Sequence, residues 1–255
     1  MPGREPGVVS MTDSAFRGFK DPDLTYAEKG LREKIRLKLS SFLFQKPFQG
    51  VIDKEVPLRS IDLVLTDPMY SSSEDNFTTL TELASCCSVI LKQGGYAAIL
   101  FGNQRNDDLI NIFKEAGLTY ITDLYYTMLG GPYAKIDWRG VEIKVAIKPV
   151  HLFRLGDSDR KVKTFNLLPS PILDKRFGAL QQQILPFILI IRDLTKPGDV
   201  IFEPFLGHGT TFLAATVMGR QCFSTEINKD RFTDTVENRI IPAISRLVTM
   251  RQAVK

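Results

Sequence analysis

The chain has 255 residues, of which 44% are apolar and 24% charged, and its formal net charge is +4. This composition is typical of a globular protein with a sizeable core, and no apolar run approaches the roughly 20 residues that cross a bilayer. Three Cys residues, two of them adjacent, and two His residues predict neither a disulfide framework nor a metal site. The mild positive charge is compatible with a nucleic-acid partner but does not identify one.

Residues 1–59 are expected to form an N-terminal extension. Within it, a 3.6-residue apolar period over residues 27–44 predicts an amphipathic helix, with Leu31, Ile35, Leu39 and Phe42 on one face. Its other positions are rich in positive charge: Lys29, Arg32, Lys34, Arg36 and Lys38. These residues form either a solvated helix face or a patch that contacts nucleic acid, and the sequence leaves both interpretations open.

Residues 60–127 alternate between strands and helices. We predict strands at Ile61–Thr66, YAAILFG (96–102) and about Thr119–Thr127, and helices at about Phe77–Leu91 and Asp107–Ala116, with a turn at KQGG (92–95). Strands that alternate with helices of this length favour a parallel sheet covered on both faces. The first strand of this segment is followed by DPMY, Asp67 to Tyr70, which places an acidic residue at the end of a buried strand.

The alternation is interrupted over residues 128–178 and resumes over residues 179–255. Between residues 128 and 180 there are ten Lys or Arg residues against five Asp or Glu, so we interpret 128–178 as a basic insert. After it we predict a helix near Leu180–Leu194, a strand at Val200–Phe202, a helix from about Thr210, the strand QCFST, and a last helix from Lys229.

A nucleotide-binding pattern lies in this last segment. Gly207 and Gly209 fall between a strand and a helix, where they permit a sharp turn and the close approach of a ligand. Glu226 ends the next strand and is positioned to accept hydrogen bonds from ribose hydroxyls. Phe212 occupies the third glycine position of a GxGxxG motif, which disfavours NAD.

Together, DPMY, the following LKQGGYAAILFGNQRNDDLINIFKEAGL, and the later FLGHGTTF and STEIN resemble the amino-group DNA methyltransferases. In that family a D/N/S-P-P-Y/F/W tetrapeptide performs catalysis and FxGxG binds S-adenosylmethionine. The tetrapeptide comes first here, which is the beta-type motif order, and the resemblance covers roughly residues 60–239. It implies an α/β, Rossmann-like methyltransferase sheet of the seven-stranded type with a circularly permuted motif order, in which the DPMY and FEPF strands are neighbours.

The resemblance also implies site residues. Asp67 and Pro68 would accept the two protons of a target amino group through a carboxylate and a backbone carbonyl. Tyr70 would stack on a flipped base, with Met69 beside it. The implied S-adenosylmethionine contacts are Glu203, Phe205, Gly207, Gly209, Thr210, Thr211 and Glu226. For Phe205 a core role is the alternative, and for Thr210 and Thr211 helix capping comes first.

Three departures from the family pattern stand out. Met69 replaces a Pro that fixes φ, Glu203 replaces an Asp, and Gln181, Gln182 and Gln183 replace a usual Gln-Lys-Pro. We interpret these changes as divergence rather than inactivation, because both inferred acceptors and the stacking ring remain. The rival hypothesis is a non-catalytic subunit that binds nucleic acid or supports an active partner.

We therefore expect a DNA methyltransferase that modifies an exocyclic amino group. Adenine N6 is favoured because Asp opens the tetrapeptide; cytosine N4 and RNA remain alternatives. The expected partner is DNA, no membrane is expected, and a homodimer or a partner subunit is compatible with the sequence. With no signal-peptide pattern, the expected compartment is the cytoplasm of a bacterium or a virus-infected cell, or a eukaryotic nucleus. The insert at 128–178 would hold the target-recognition region.

Overall fold

The computed structural model describes residues 26–68, 75–102, 105–127, 134–138, 140–170 and 182–253. Their α-helices are α1 (Tyr26–Leu39), α2 (Asp75–Ile90), α3 (Asn106–Glu115), α4 (Ile184–Leu194), α5 (Thr210–Val217), α6 (Lys229–Thr235) and α7 (Ile241–Ala253). Their strands are β1 (Leu43–Phe44), β2 (Ile61–Thr66), β3 (Leu91–Leu100), β4 (Leu118–Thr127), β5 (Ala134–Trp138), β6 (Val141–Val145), β7 (Ile147–Leu155), β8 (Leu167–Leu168), β9 (Val200–Glu203) and β10 (Gln221–Thr225). A 3-10 turn at Phe48–Val51 and a π-helical turn at Val236–Ile240 complete the described elements.

Eight of the strands form one sheet in the order β1-β10-β9-β2-β3-β7-β4-β8. All neighbouring pairs are parallel except those of β7, which runs antiparallel to both β3 and β4. The carboxyl ends of seven strands and the amino end of β7 therefore share one edge of the sheet. In open α/β sheets this is the edge where ligands bind.

The expected fold class is confirmed. The strand that leads into DPMY, β2, pairs directly with β9, the strand of FEPF, through Leu63 with Ile201 and Val64 with Phe202. Among the described residues the sheet has eight strands, of which β1 and β8, at its two edges, are only two residues long. The strand that leads into the tetrapeptide comes before the strand of the glycine loop in the chain and lies beside it in the sheet, as the predicted permuted motif order requires.

The sheet separates two apolar layers, as the alternation of side chains in a strand requires. In β2, Leu63 and Leu65 belong to the layer that contains α1, α4, α5 and α7, and Val64 between them belongs to the layer that contains α2 and α3. Ile61 also lies in the second layer, out of step with the alternation, because the pairing with β3 is irregular between Ile61 and Leu63. All four side chains have no exposed surface. Each contributes on the order of 1.5–3 kcal/mol by burial, so β2 is held rigidly up to its last residue.

Two sequence predictions about element boundaries are wrong. The N-terminal helix ends at Leu39, not at residue 44, and Leu43–Phe44 instead form β1 against β10. The Ser40 hydroxyl donates to the Leu37 carbonyl, a local hydrogen bond that competes with helix continuation. The KQGG segment is not a separate turn but part of β3, where the pairing with β2 shifts register between Ile61 and Leu63.

The region interpreted as a basic insert has two structural parts. Strands β5 and β6 form their own two-stranded sheet, separate from the main one. Strand β7 instead lies inside the main sheet, and Val150 and Phe153 are fully buried. Residues 147–155 are thus a core strand, while the target-recognition assignment of 128–178 stays a prediction. No helix in the described ranges is long and apolar enough to cross a membrane.

Candidate active site

Asp67 lies one residue beyond the end of β2, at the ligand-binding edge of the sheet. Its Oδ1 accepts a hydrogen bond from Lys148 Nζ at 2.5 Å, and its Oδ2 accepts one from Gln182 Nε2 at 2.5 Å. The carboxylate is therefore held at both oxygens by side chains from two distant parts of the chain. Charge-assisted hydrogen bonds of this kind are short and strong, and here they fix the orientation of the carboxylate.

Lys148 reaches this edge because β7 runs against the other strands. Its neighbour Val150 pairs with Leu100, the last residue of β3, and Phe101 donates its backbone N–H to Pro149 at 3.3 Å. The second residue of β7 thus lies beside the carboxyl ends of β2 and β3. The reversed strand brings an ammonium group to an edge otherwise lined by strand ends.

Glu203, the last residue of β9, is buried and fully engaged with protein groups. Its carboxylate accepts hydrogen bonds from the hydroxyls of Thr66 and Thr211 and from the backbone N–H of Phe205, at 3.0 Å in the last case. Burial raises the pKa of Glu203 to about 8 even though these donors, which stabilise the charged form, oppose the rise. In this structure Glu203 ties the end of β2 to the start of α5.

The loop between β9 and α5 contains two glycines in the left-handed region, Gly207 at φ 49° and Gly209 at φ 72°. They have different surroundings. A Cβ on Gly209 would lie 3.0 Å from Ile240 Cδ1 and 3.1 Å from Thr235 Cγ2, so the protein itself requires glycine there. Among the described residues, a Cβ on Gly207 would meet only the Phe205 carbonyl, at 3.7 Å, so Gly207 is open on that side. Of the two, Gly207 is the position where a ligand can approach the backbone.

The π-helical turn after α6 supports this loop from behind. Thr235 donates its hydroxyl to the Gly207 carbonyl at 2.6 Å. Arg239 donates from Nη1 to the His208 carbonyl and, at 3.4 Å, to the Thr210 hydroxyl. Single-turn π-helical segments are frequent at functional sites, and this one supplies Arg239 as a donor to the glycine loop, next to Thr235 at the end of α6.

Glu226 follows β10 and faces the same loop. Its Oε2 accepts the Gly207 N–H at 3.2 Å, and its Oε1 accepts the Asn228 N–H at 2.9 Å. Each carboxylate oxygen has two acceptor sites, so Glu226 keeps capacity for hydroxyl donors while it holds the loop. An acidic side chain beside an open glycine turn is the arrangement that binds a ribose next to a helix N-terminus.

Two hydrogen-bonded connections join the DPMY end to the glycine loop. In the first, Gln182 donates its side-chain amide to Asp67, and its own carbonyl accepts from the Thr210 hydroxyl at 3.4 Å. In the second, Glu203 bridges Thr66 and Thr211. The structure therefore brings the two halves of the predicted site together at one edge of the sheet.

The remaining predicted site residues have mixed outcomes. Phe205 is half-buried and packs edge-on against Phe48, with ring centroids 5.5 Å apart, which favours a core role for at least one side of the ring. The prediction that Thr210 and Thr211 cap the helix is wrong, since Gly209 is the N-cap residue and both hydroxyls bind elsewhere. Pro68 is buried. Met69 and Tyr70 lie outside the described residues, as does Gln181.

The sequence alone does not identify Lys148 as a site residue. Its position depends on β7 inserting between β3 and β4, a pairing between residues far apart in the chain. A hint existed in KPVHLFRL, where a lysine immediately precedes a buried apolar strand. Periodicity does not reveal the direction or the neighbours of such a strand.

The site residues fit S-adenosylmethionine as a ligand. The open turn at Gly207, the N-terminus of α5 and the Glu226 carboxylate offer groups for a nucleoside, and Gln182 joins Asp67 to the first residue of α5. A polar acceptor so close to a nucleoside site is what a group transfer between two ligands needs.

Comparison with known proteins supports this interpretation. Residues 188–237 match the N6/N4 methyltransferase family model, described as DNA methylase. The matched segment contains the glycine loop, Glu203 and Glu226, and it leaves the DPMY strand outside. No curated protein sequence matches the chain significantly.

Several solved structures share the fold. The M1.HpyAVI–SAM complex matches with a TM-score of 0.63 at 18% identity, over 78% of this chain and 98% of the other. A putative DNA modification methylase of Thermus thermophilus, TTHA0409, complexed with S-adenosyl-L-methionine, gives 0.58 at 20% identity, over 77% and 94%. The PvuII cytosine-N4-specific DNA methyltransferase gives 0.59 at 20% identity, over 74% and 80%. The predicted resemblance to the amino-group DNA methyltransferases is thereby confirmed.

Proposed function

We propose that this chain, which has the fold of the amino-group DNA methyltransferases and matches their family model in its cofactor half, is an S-adenosylmethionine-dependent DNA methyltransferase that acts on an exocyclic amino group. The observation that carries the proposal is the junction at the sheet edge. Asp67 and the glycine loop, far apart in the chain, meet through Gln182 and Glu203.

The chemistry follows from the poor nucleophilicity of such an amino group, whose lone pair is delocalised into the ring. Asp67 would accept one amino proton through its carboxylate and Pro68 the other through its carbonyl, which draws the nitrogen toward sp³ and frees the lone pair. Bound S-adenosylmethionine supplies a methyl carbon that carries a sulfonium leaving group. The nitrogen gains the methyl group and loses one proton, which leaves along the hydrogen bond to Asp67 and passes to water. Alignment of the reacting atoms is the main contribution of the protein.

For cofactor binding, the proposal assigns direct contact to the open backbone at Gly207 and to the Glu226 carboxylate. Glu203, Gly209, Thr210 and Thr211 would act by shaping the loop, because their contacts are with protein groups. Phe205 would offer one ring face to the cofactor adenine while the other side packs in the core. Tyr70 would stack on the target base, with Met69 next to it.

Adenine N6 is the preferred target because Asp opens the tetrapeptide. Cytosine N4 is the second candidate, since a cytosine-N4-specific DNA methyltransferase is among the structures with this fold. For contact with DNA, the β5–β6 hairpin is the first candidate. It stands apart from the main sheet, and Lys135 and Lys144 lie opposite each other across its two strands.

The test is mass spectrometry of nucleosides from DNA and from RNA, each incubated with the protein and methyl-labelled S-adenosylmethionine. We expect labelled N6-methyladenine from DNA. Labelled N4-methylcytosine would reassign the target base, and label in RNA alone would reassign the polymer. Cofactor binding without label in either polymer would support the rival hypothesis of a non-catalytic subunit.

A further inference from the structure

The ion pair between Lys148 and Asp67 joins two groups that a target base would meet at the same time. Lys148 Nζ lies 2.5 Å from Asp67 Oδ1, and the two side chains are only 12% and 22% exposed. A lysine so little exposed loses most of its hydration, which a surface ion pair would not require. Its position therefore calls for an explanation beyond solubility or a surface contact.

A second lysine–aspartate pair on the same strand provides a comparison. Asp62, near the start of β2, pairs with Lys92 at 2.7 Å and also accepts the Val200 N–H at 2.9 Å. That pair lies at the opposite edge of the sheet, its lysine is 44% exposed, and it ties β2 to β3 and β9. The Lys148–Asp67 pair lies instead at the ligand-binding edge, beside the residue that the proposed function assigns to the target amino group.

The pair offers a carboxylate acceptor next to an ammonium donor. Adenine presents the complementary pattern on its Watson–Crick edge, where the N6 amino donor adjoins the N1 acceptor, and cytosine does so with N4 and N3. Thymine and guanine present a ring N–H at the corresponding ring position. A flipped base is read by hydrogen bonds to this edge.

We propose that Lys148 is a specificity-determining residue that donates a hydrogen bond to the ring nitrogen beside the target amino group, while Asp67 accepts the amino proton. This proposal rests on the proposed function and extends it to the recognition of the base. It defines the substrate class as a base with an amino group next to an unprotonated ring nitrogen, and it includes adenine and cytosine while it excludes thymine and the Watson–Crick edge of guanine.

Gln182 makes simultaneous recognition feasible. Because Gln182 holds Oδ2 and Lys148 holds Oδ1, the carboxylate cannot rotate away from the base. Each carboxylate oxygen has two acceptor sites, so Asp67 accepts an amino proton without losing either partner. An ammonium carries three N–H groups, so the hydrogen bond to Asp67 uses only part of the donor capacity of Lys148.

The role of Lys148 is in binding and not in the chemical step. A cation at the ring nitrogen withdraws electron density from the amino group and makes it a weaker nucleophile. Loss of Lys148 should therefore raise the dissociation constant for the base, and kcat should fall only to the extent that Asp67, which Lys148 also holds, loses its orientation. A residue that only kept Asp67 in place would lower kcat when removed, but its removal would not change the preference for adenine over 1-deazaadenine in binding.

The experiment measures binding of short oligothymidylates with one central adenine, 1-deazaadenine or 7-deazaadenine, in the presence of S-adenosylhomocysteine. The protein is the full chain, as wild type, Lys148→Met and Lys92→Met. For the wild type and Lys92→Met, we expect 1-deazaadenine to bind about 10- to 100-fold more weakly than adenine, the value of a hydrogen bond to a charged group. For Lys148→Met, the two bases should bind within about threefold of each other, and 7-deazaadenine should bind like adenine in every protein.

The matched variant Lys92→Met removes a lysine from an aspartate on the same strand, so it controls for loss of charge and of an ion pair. The proposal would be overturned if the wild type and Lys148→Met preferred adenine over 1-deazaadenine equally. It would also be overturned if 7-deazaadenine, and not 1-deazaadenine, were the base that bound more weakly than adenine. If Lys148→Met does not fold, Lys148→Gln takes its place in the assay. Gln keeps a donor without the charge, so this variant is expected to retain partial discrimination between adenine and 1-deazaadenine. Full discrimination in Lys148→Gln, or no discrimination in the wild type, would also contradict the proposed role of Lys148. The readout does not need catalysis: base discrimination without methyl transfer contradicts the proposed function alone, and methyl transfer without this discrimination contradicts only the role of Lys148.

Discussion

Glu203 is a carboxyl group whose ionisation is opposed by its surroundings. Burial raises its pKa from about 4.5 to about 8, while Thr66, Thr211 and the Phe205 N–H stabilise the charged form. The folded protein therefore binds a proton here over a pH range in which the unfolded chain has released it. The resulting contribution to stability is complete below about pH 4.5 and is lost as the pH rises through 8.

This gives a prediction for Glu203→Gln, which keeps the shape but cannot ionise. The free energy of unfolding of the wild type should fall by about 1–3 kcal/mol between pH 6 and pH 9, and the fall should be smaller in the variant. Thermal unfolding at both pH values measures this, at roughly 2–4 °C per kcal/mol for a protein of this size. Parallel pH profiles for the two proteins would contradict the assignment.

Gly207 and Gly209 allow two roles of the glycine loop to be separated. Gly209→Ala places a methyl group against Ile240 and Thr235 at 3.0–3.1 Å in a left-handed conformation, so it should destabilise the fold by about 2–4 kcal/mol. Gly207→Ala meets no such contact and should cost only about 1–2 kcal/mol.

The same two variants should differ in the opposite sense in their affinity for S-adenosylmethionine. Gly207→Ala puts a methyl group on the open side of the loop, and S-adenosylmethionine binding should weaken by at least about tenfold, or roughly 1.4 kcal/mol. Calorimetric titration and thermal unfolding of both variants provide the measurement. An unchanged cofactor affinity in Gly207→Ala would show that the ligand does not approach this backbone.

At the scale of elements, the π-helical turn acts as a brace for the glycine loop. Arg239→Met removes the donor to the His208 carbonyl and should destabilise the protein by about 1–3 kcal/mol. Because His208 lies between the two glycines, cofactor affinity should fall as well. The conservative Arg239→Lys is the control: it keeps the charge and should restore part of both quantities, which thermal unfolding and calorimetry report. An equal loss of stability and of cofactor affinity in Arg239→Lys and Arg239→Met would contradict a role for the Arg239 hydrogen bond.

The β5–β6 hairpin offers a prediction about DNA binding. Replacing residues 134–145 by a short Gly-Ser linker should shift the unfolding temperature by less than about 4 °C, since the hairpin forms a sheet of its own. DNA affinity should fall, and the dependence of log affinity on log salt should become shallower by about 0.9 per lost phosphate contact. Fluorescence anisotropy at several salt concentrations measures both. Unchanged affinity and slope would assign DNA contact to another surface.

The elements also show which parts of the fold local patterns could predict. Strand β2, strand β10 and the helices near residues 106 and 184 follow from periodicity, because burial of one face governs their sequences. The end of α1 could not be predicted, since Phe42 continues the helical period while the pairing of Leu43 and Phe44 with β10 makes the following residues a strand. A tertiary contact with residues 224 and 225 decided between two locally acceptable structures.

On the scale of the molecule, the motif order predicted the sheet order, including the β2–β9 contact and the permuted connection. The resemblance supplied that information, because no local pattern in this chain specifies which strands become neighbours. The residues of the site could likewise be predicted only in part. Asp67, the glycine loop and Glu226 follow from motifs, whereas Lys148 and the bracing Arg239 depend on the three-dimensional path of β7 and of the π-helical turn.

The most direct test of the account compares the wild type with Asp67→Ala and Asp67→Asn in two assays. The first measures methyl transfer from labelled S-adenosylmethionine to DNA, and the second measures cofactor affinity. We expect labelled nucleosides methylated on an amino nitrogen with the wild type, a loss of methyl transfer of at least about 100-fold in both variants, and cofactor affinity within about threefold throughout. Transfer that persists in Asp67→Ala, or cofactor binding that disappears with it, would contradict the claim that this carboxylate acts on the target amino group beside a separate cofactor site.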